Sequence, residues 1–385
     1  MARTAARTAT TRTVTDINRT AVLDALAQHG PLSRSALRER TGLSSATVER
    51  LCAALLDEQL VVRAGVDRSS GGRPSTLLRF AGERRVIVTA EVTAAGPRGM
   101  LVGLDGSRTD RLAHAGAPDV DAAGRLEDVL DLVTTLVARA EADGRVCLGV
   151  ALSVPGVVHA DGRVSNSAEL GWQQLAVGQI VEHRTGLPTL VENDANAIAF
   201  GEWAHGAGSG SHSLVAVVLG VGVGAGIVSD GALVRGARSG AGEIGYLLAD
   251  RAALGRIFAQ QGDLESRIGA VPPRYRGAAG PLDGAGLLAA AAAGDVDARD
   301  LAAEVLDHLA LAVVALATVI DPEAVVLQGR LPADAGWVVR EIEQRLAGRI
   351  PFPPTIRTAL LGADAALVGV GELMARRTKG SVYLA

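Results

Sequence analysis

Between Ser33 and Ser44 the chain places two helix-capping residues around a glycine turn, Thr41-Gly42-Leu43. A side-chain oxygen at each cap can satisfy free helix N–H groups, so this spacing predicts a short helix, a tight turn and a second helix. Upstream, Ile17, Ala21, Val22, Ala25 and Leu26 follow helical spacing, and Gly30-Pro31 ends that helix near His29. Leu37 is the buried residue of the short helix. On the helix capped by Ser44, Val48, Leu51, Leu55 and Leu56 form an inward stripe, which leaves Ser45, Thr47, Glu49 and Arg50 on the outer face.

Leu60-Val61-Val62-Arg63 and Thr76-Leu77-Leu78-Arg79-Phe80 then alternate like two strands around Ser69-Ser70-Gly71-Gly72-Arg73-Pro74-Ser75. Three helices followed by such a hairpin predict a winged helix-turn-helix over residues 16–80. Ser44, Ser45, Thr47 and Arg50 would meet a major groove, and Arg73 and Pro74 at the wing tip would reach phosphates or a minor groove. A small helical protein-interaction domain would show the same caps and stripes. Charge favours a polyanionic partner: residues 1–85 carry a net +6, and the remainder a net −10. Arg3, Arg7 and Arg12 stand without an acid among Ala and Thr, so residues 1–15 read as a disordered basic arm.

The start lacks a short apolar core followed by a small-residue cleavage site, so no secretion signal is expected. The longest charge-free run, Ala204 to Ser229, is broken by glycines and makes no membrane helix, so a cytoplasmic protein with no membrane partner is expected. Cys52 and Cys147, each among apolar neighbours, read as buried free thiols.

Near Ala81 to Arg85 the pattern changes to α/β. Strands are expected at Val86 to Ala90, Gly99 to Leu104 and Val146 to Val154, with a helix around Leu126 to Ala142 between the second and third. The second half repeats the theme with strands at Leu214 to Leu219 and Ala225 to Val228, a helix from about Ala298 to Ile320, and a strand at Ala324 to Leu327. Pattern alone fits either two similar halves with a cleft between them or an ordinary doubly wound sheet.

Gly156-Val157-Val158, Leu170-Gly171-Trp172, Thr185-Gly186-Leu187-Pro188, Glu192-Asn193-Asp194-Ala195-Asn196-Ala197 and Gly201-Glu202 follow in order. In order and spacing they resemble the ROK family of repressors, open reading frames and kinases. The likeness extends over nearly the whole chain, including Gly72-Arg73-Pro74. It implies an actin-like (ribonuclease H-like) sugar-kinase-type body over residues 86–385, in two lobes divided near residue 200 that close over a sugar. It also implies a ligand site at Gly156, Glu169, Asn193, Asp194, Glu243, Tyr246 and Glu265. The side chains suit a polyol, since Asn193 offers a donor and an acceptor, and Asp194 and Glu243 offer acceptors. In kinase relatives the aspartate matching Asp194 is the catalytic base. Without the resemblance, Asn-Asp-Ala-Asn after a strand reads as a turn and helix cap.

Departures from the family pattern bear on activity. Where kinases carry Asp-x-Gly-Gly-Thr, this chain has Glu91-Val92-Thr93-Ala94-Ala95, which puts side chains where backbone amides must approach a nucleotide. In Leu219-Gly220-Val221-Gly222-Val223-Gly224-Ala225-Gly226 the usual Thr is Val221, so Gly220 and Gly222 read as a phosphate-loop remnant or as a tight hairpin between buried strands. The expected Gly-Gly pair near the adenosine end is Gln328-Gly329. A P-loop is ruled out, because Lys379 is the sole lysine. The family's zinc cluster is missing: Gly242-Glu243-Ile244-Gly245-Tyr246 is followed by no cysteine or histidine from Arg251 to Leu264, so no metal and no cofactor is expected. Glu265 matches the family's second sugar-binding glutamate. Glu169 stands where an amide is common, and either favours an amino-sugar or another cationic ligand, or faces solvent.

The expected function is a transcriptional regulator, a repressor and not an enzyme. It would bind double-stranded DNA at an inverted-repeat operator as a homodimer or homotetramer, and its degenerate kinase body would sense a sugar or related metabolite. The alternatives are a sugar kinase with an attached DNA-binding domain, in which Asp194 is catalytic, and a regulator independent of any ligand.

Overall fold

The computed structural model describes residues 11–67, 75–116, 120–220, 222–257, 261–269 and 283–383. The first of its three parts is a winged helix built from α1 (Thr11–His29), β1 (Leu32–Ser33), α2 (Arg34–Thr41), α3 (Ser45–Asp57), β2 (Val61–Asp67) and β3 (Ser75–Phe80). Helix α1 already begins at Thr11, so the expected basic arm gives up its last five residues to it. Ser33 Oγ accepts from Ala36 N at 3.2 Å, and Ser44 Oγ accepts from Thr47 N at 3.2 Å. Between the two caps, Gly42 adopts φ 69°, a left-handed conformation that glycine takes at little cost and that ends α2.

Leu23, Leu26, Leu37, Leu55 and Leu78 close this domain's core. Cys52 is fully buried among them, whereas Leu56 is only half-buried. The inward stripe keeps Val48, Leu51 and Leu55 as expected, with Cys52 as its fourth buried member and Leu56 at its edge. In the wing, β2 and β3 pair antiparallel with a register shift between Arg63 and Val66. The wing tip, with Arg73 and Pro74, lies outside the described residues.

The body contains two five-stranded sheets of the same design. The first lobe holds β4 (Arg85–Thr93), β5 (Gly96–Gly103), β6 (Arg108–Ala113), α4 (Ala122–Ala142), β7 (Val146–Val154), β8 (Val157–Val158), β9 (Val164–Ser167), β10 (Trp172–Leu175), α5 (Val177–Thr185) and β11 (Thr189–Asn193). Helix α6 (Asp194–His205) follows. The second lobe holds β12 (Ser213–Leu219), β13 (Val223–Ser229), β14 (Ala232–Leu233), α7 (Asp263–Gly269), α8 (Gly284–Ala292), α9 (Val296–Ile320), β15 (Ala324–Gly329), α10 (Ala335–Leu346) and β16 (Thr355–Thr358). The chain ends its described part with α11 (Ala365–Tyr383).

Strand order is β6-β5-β4-β7-β11 in one sheet and β14-β13-β12-β15-β16 in the other. In each, the first three strands form an antiparallel meander, and two further strands add parallel to the first. This duplicated order decides for two similar halves and against a single doubly wound sheet. The central strands are apolar along their length, with Leu214, Val215, Ala216 and Val217 fully buried, because helices cover both faces.

Helices α6 and α11 cross between the two sheets. One buried cluster joins Ile87 and Ala151 of the first lobe, Ala197 and Phe200 of α6, Ala366 and Val370 of α11, and Leu214 and Val326 of the second lobe. The crossing is possible because Gly201 and Gly369 meet there. A Cβ on Gly369 would stand 1.8 Å from Ala197 O, and one on Gly201 would stand 2.4 Å from Ala365 O.

Helix α11 thereby leaves the second lobe, returns along β4 and β7, and enters the winged helix. Val382 and Tyr383 belong to that domain's core, with Tyr383 edge-on to Phe80 at 6.2 Å. A lobe boundary near residue 200 thus omits the return of residues 365–383. Helix α9 is long and apolar enough to cross a membrane by length and composition. In this fold it is a core helix, with Ala302, Val305, Leu309 and Val313 buried against Val215 and Leu327.

Candidate functional site

The outer face of α3 carries the residues expected to meet a major groove. Ser44, Ser45, Glu49 and Arg50 are exposed, and Thr47 is half-buried. Ser44 and Thr47 are already committed to each other, with their hydroxyls 2.9 Å apart. They shape the start of the helix, and Ser45, Glu49 and Arg50 remain exposed along its outer face.

The second site is a cleft between the lobes, with two adjoining cavities of about 330 and 360 Å³. Both are walled in part by Glu169 and Asp194. Strand β11 and helix α6 deliver the central pair, because the strand ends and the helix begins at Asn193-Asp194. Asn193 is the N-cap: its Oδ1 accepts from Asn196 N at 3.0 Å, and its Nδ2 donates to Gly156 O at 3.0 Å and to Asp194 Oδ1 at 2.9 Å. Both amide hydrogens are therefore in use, which corrects the expectation that Asn193 offers a ligand a free donor. Asp194 Oδ1 also accepts from Ala195 N at 2.8 Å. Burial pushes the Asp194 carboxyl up to about 7, against the pull of the Ala195 N–H and with the charges of Glu169 and Glu91 adding to the rise.

The larger cavity takes in Gly156, Glu169, Asn193, Asp194, Glu243, Tyr246 and Glu265, so the fold brings all seven expected ligand residues to one wall. Glu169 Oε1 accepts from Ala94 N at 2.8 Å, which ties it to the β4–β5 turn. Burial raises the carboxyls of Glu243 and Glu265, and the neighbouring Glu243 charge adds to the rise at Glu265. The Glu265 carboxylate lies beside Gly222 and Gly245, where added Cβ atoms would each stand 3.0 Å from it. Gly226 has a packing role, since a Cβ there would meet Ala195 O at 2.1 Å and push α6 off β13.

The smaller cavity is crossed by side chains. Glu91 pairs with Arg98, which also donates to Ala363 O. Gln328 Nε2 donates to Gly362 O at 2.8 Å, and Arg330 pairs with Asp283.

Two motif residues around the cleft, Glu192 and Glu202, have roles that the sequence left unassigned. Glu192 is buried and takes two hydrogen bonds from Arg235, at 2.6 and 2.9 Å, joining β11 to the loop after β14. Glu202 is fully buried and accepts from the N–H groups of Ala207, Leu360 and Leu361.

Where relatives carry zinc, buried Asp263 accepts from Ala249 N at 2.8 Å and pairs with Arg256 at 2.7 Å and Arg267 at 3.1 Å. Burial alone would raise its pKa, but the Ala249 N–H and the Arg267 guanidinium hold it below the usual carboxylate range. Among the described residues no group of three or more His, Cys, Asp or Glu side chains is placed to hold a metal.

A model of the ROK family matches residues 118–377, and a MarR family model matches residues 13–70. The chain is 26% identical over 241 residues to the xylose repressor of Bacillus subtilis, a match that covers 62% of each chain. It is 29% identical over 252 residues to the glucokinase of Halalkalibacterium halodurans, covering 59% of this chain and 76% of that enzyme. The crystal structure of a ROK family transcriptional regulator, a homolog of the E. coli MLC protein, superposes with a TM-score of 0.77 at 23% identity, covering 96% of this chain and 99% of that one.

Proposed function

Since the chain belongs to the ROK family, we propose that it is a sequence-specific DNA-binding transcriptional regulator, a repressor, whose body senses a sugar or related small metabolite without phosphorylating it. One observation carries this reading. Helix α11 links the cleft to the DNA-binding domain, because it packs along α6, which opens with Asp194, and its end lies in the winged-helix core. A ligand that draws the lobes together acts on α6, and α11 conveys the shift to the recognition helices.

The protein works in the cytoplasm as a homodimer or homotetramer on an inverted-repeat operator. Half-sites of such operators lie roughly 34 Å apart or a multiple of it, so a small rotation of each winged helix spoils the match. The ligand biases this equilibrium only through its different affinity for the two arrangements. Ser45, Glu49 and Arg50 read bases, and Arg73 and Pro74 of the wing hold the backbone.

The Glu91–Arg98 pair and Gln328, held to Gly362 O, support a body that does not use ATP. A coupled phosphorylation assay across hexoses tests that point, and turnover abolished by Asp194→Asn would make the chain a kinase. The function is tested by selecting genomic fragments on the purified protein, with and without a pool of sugars. One palindromic site released by a component of the pool is the expected result, and no enrichment over random duplex overturns the proposal.

A further inference from the structure

The wall of the larger cavity has an excess of hydrogen-bond acceptors. Four carboxylates face it, from Glu169, Asp194, Glu243 and Glu265, and among the described residues no Lys, Arg or His lines it. Asn193 does not balance them, since both its amide hydrogens go to Gly156 O and Asp194, and the other neutral donors along the lining, the side chains of Asn166, Ser239 and Tyr246, carry no positive charge. Asn196 adds an independent sign. It is 4% exposed and lines the same cavity, its Nδ2 donates to Glu192, and its Oδ1 has no partner. A buried acceptor left without a donor is costly, and a ligand that brings N–H or O–H groups relieves it.

Charge narrows the class further. Glu91 has Arg98 as its counter-ion, but Glu169 has only the Ala94 N–H on one oxygen. Glu169 and Asp194 repel each other across the cavity, and the raised Asp194 carboxyl reports that repulsion together with its burial. A phosphorylated or carboxylated sugar would add a third like charge there. A hydroxylated cation supplies donors and the missing positive charge together.

We propose that the effector is a cationic polyol of the amino-sugar class, with its free ammonium held between Glu169 and Asp194 and its hydroxyls donating to Glu243 and Glu265. This rests on the sugar-sensing reading of the same cleft.

The test is calorimetric titration of the full chain at pH 7 with glucosamine, galactosamine and mannosamine, each beside its N-acetyl derivative and its parent hexose. At least one free amine is expected to bind tenfold or more tighter than its two neutral partners. Because an arriving ammonium favours ionised Asp194, that binding releases protons, seen as a heat that changes with the ionisation enthalpy of the buffer. Glu169→Gln keeps the acceptor for Ala94 N and is expected to lower the preference for the amine at least threefold, with an unchanged circular dichroism spectrum. Equal or tighter binding of the N-acetyl derivatives or parent hexoses overturns the cationic ligand and leaves a sugar sensor standing. Absence of heat with every sugar overturns both.

Discussion

Arg19, in the first helix of the winged helix, donates from Nε to the main-chain carbonyl of Tyr383, at the end of α11 and 364 residues away in sequence. The same guanidinium holds Glu58 through both of its other nitrogens, with Nη1 at 2.8 Å from Oε1. Beside this contact Lys379 pairs with Asp24 at 2.8 Å, so one hydrogen bond, one ion pair and the Tyr383 ring fasten α11 to the DNA-binding domain.

Arg19 is 7% exposed, and its loss strands a carboxylate and a carbonyl. Arg19→Met is expected to destabilise the protein by about 2 kcal/mol, read from the shift in denaturant midpoint. It should also uncouple the domains, so that a sugar causing a large change in operator affinity in the parent changes that of the variant less than threefold. An unchanged response to the sugar would remove α11 from the signalling route.

On α3, Arg50→Ala is expected to cost roughly 1–3 kcal/mol of discrimination between operator and random duplex. Arg73→Ala should weaken binding to both duplexes about equally and flatten the dependence on salt. Competition binding at several salt concentrations separates the two, and identical behaviour of the variants would contradict the assignment.

Asp194 gives a pH signature. In an unfolded chain it ionises near pH 4, whereas in the fold it ionises at about 7. Between those values the folded chain keeps a proton that the unfolded chain has released, so folding is disfavoured increasingly from about pH 4 to about pH 7, and the cost persists above that. Asp194→Asn removes the cost. Allowing for solvent screening, the variant is expected to match the parent at pH 4 and to gain roughly 1–2 kcal/mol at pH 8. Thermal unfolding at the two pH values measures it, and a loss of stability at pH 8 would refute the shifted carboxyl.

Asp263 stands fully buried between Arg256 and Arg267 in the segment where relatives bind zinc. Its replacement by Ala leaves the Ala249 N–H without its acceptor and leaves Arg267 with Asp250 alone, and a loss of about 3 kcal/mol is expected. A chelator should leave the unfolding temperature unchanged. A drop on chelation would reveal a metal that this segment holds.

Much of the fold was legible because its determinants are local. Ser33, Gly42 and Ser44 cap and end helices through hydrogen bonds within a few residues of themselves, and each acts as its type predicts. The two apolar strand sets and the Glu192-to-Ala197 block likewise declare themselves over short spans. The start of α1 was harder to read, since Thr11 to Thr15 continue a helix through residues with weak preference for one.

The side-chain types in the cleft, the helix-turn-helix caps and the alternation of strands and helices were determined by the sequence alone, because propensity, periodicity and capping act over one or two turns. Tertiary structure decided that Asn193 has no free donor, that Glu192 meets Arg235, that Asp263 is ringed by arginines and that Arg19 grips Tyr383. The Asn193, Glu192 and Arg19 contacts depend on where a distant backbone passes, the Asp263 cluster on how its own segment turns, and a hydrogen bond forms or fails over a few tenths of an ångström that no local pattern encodes.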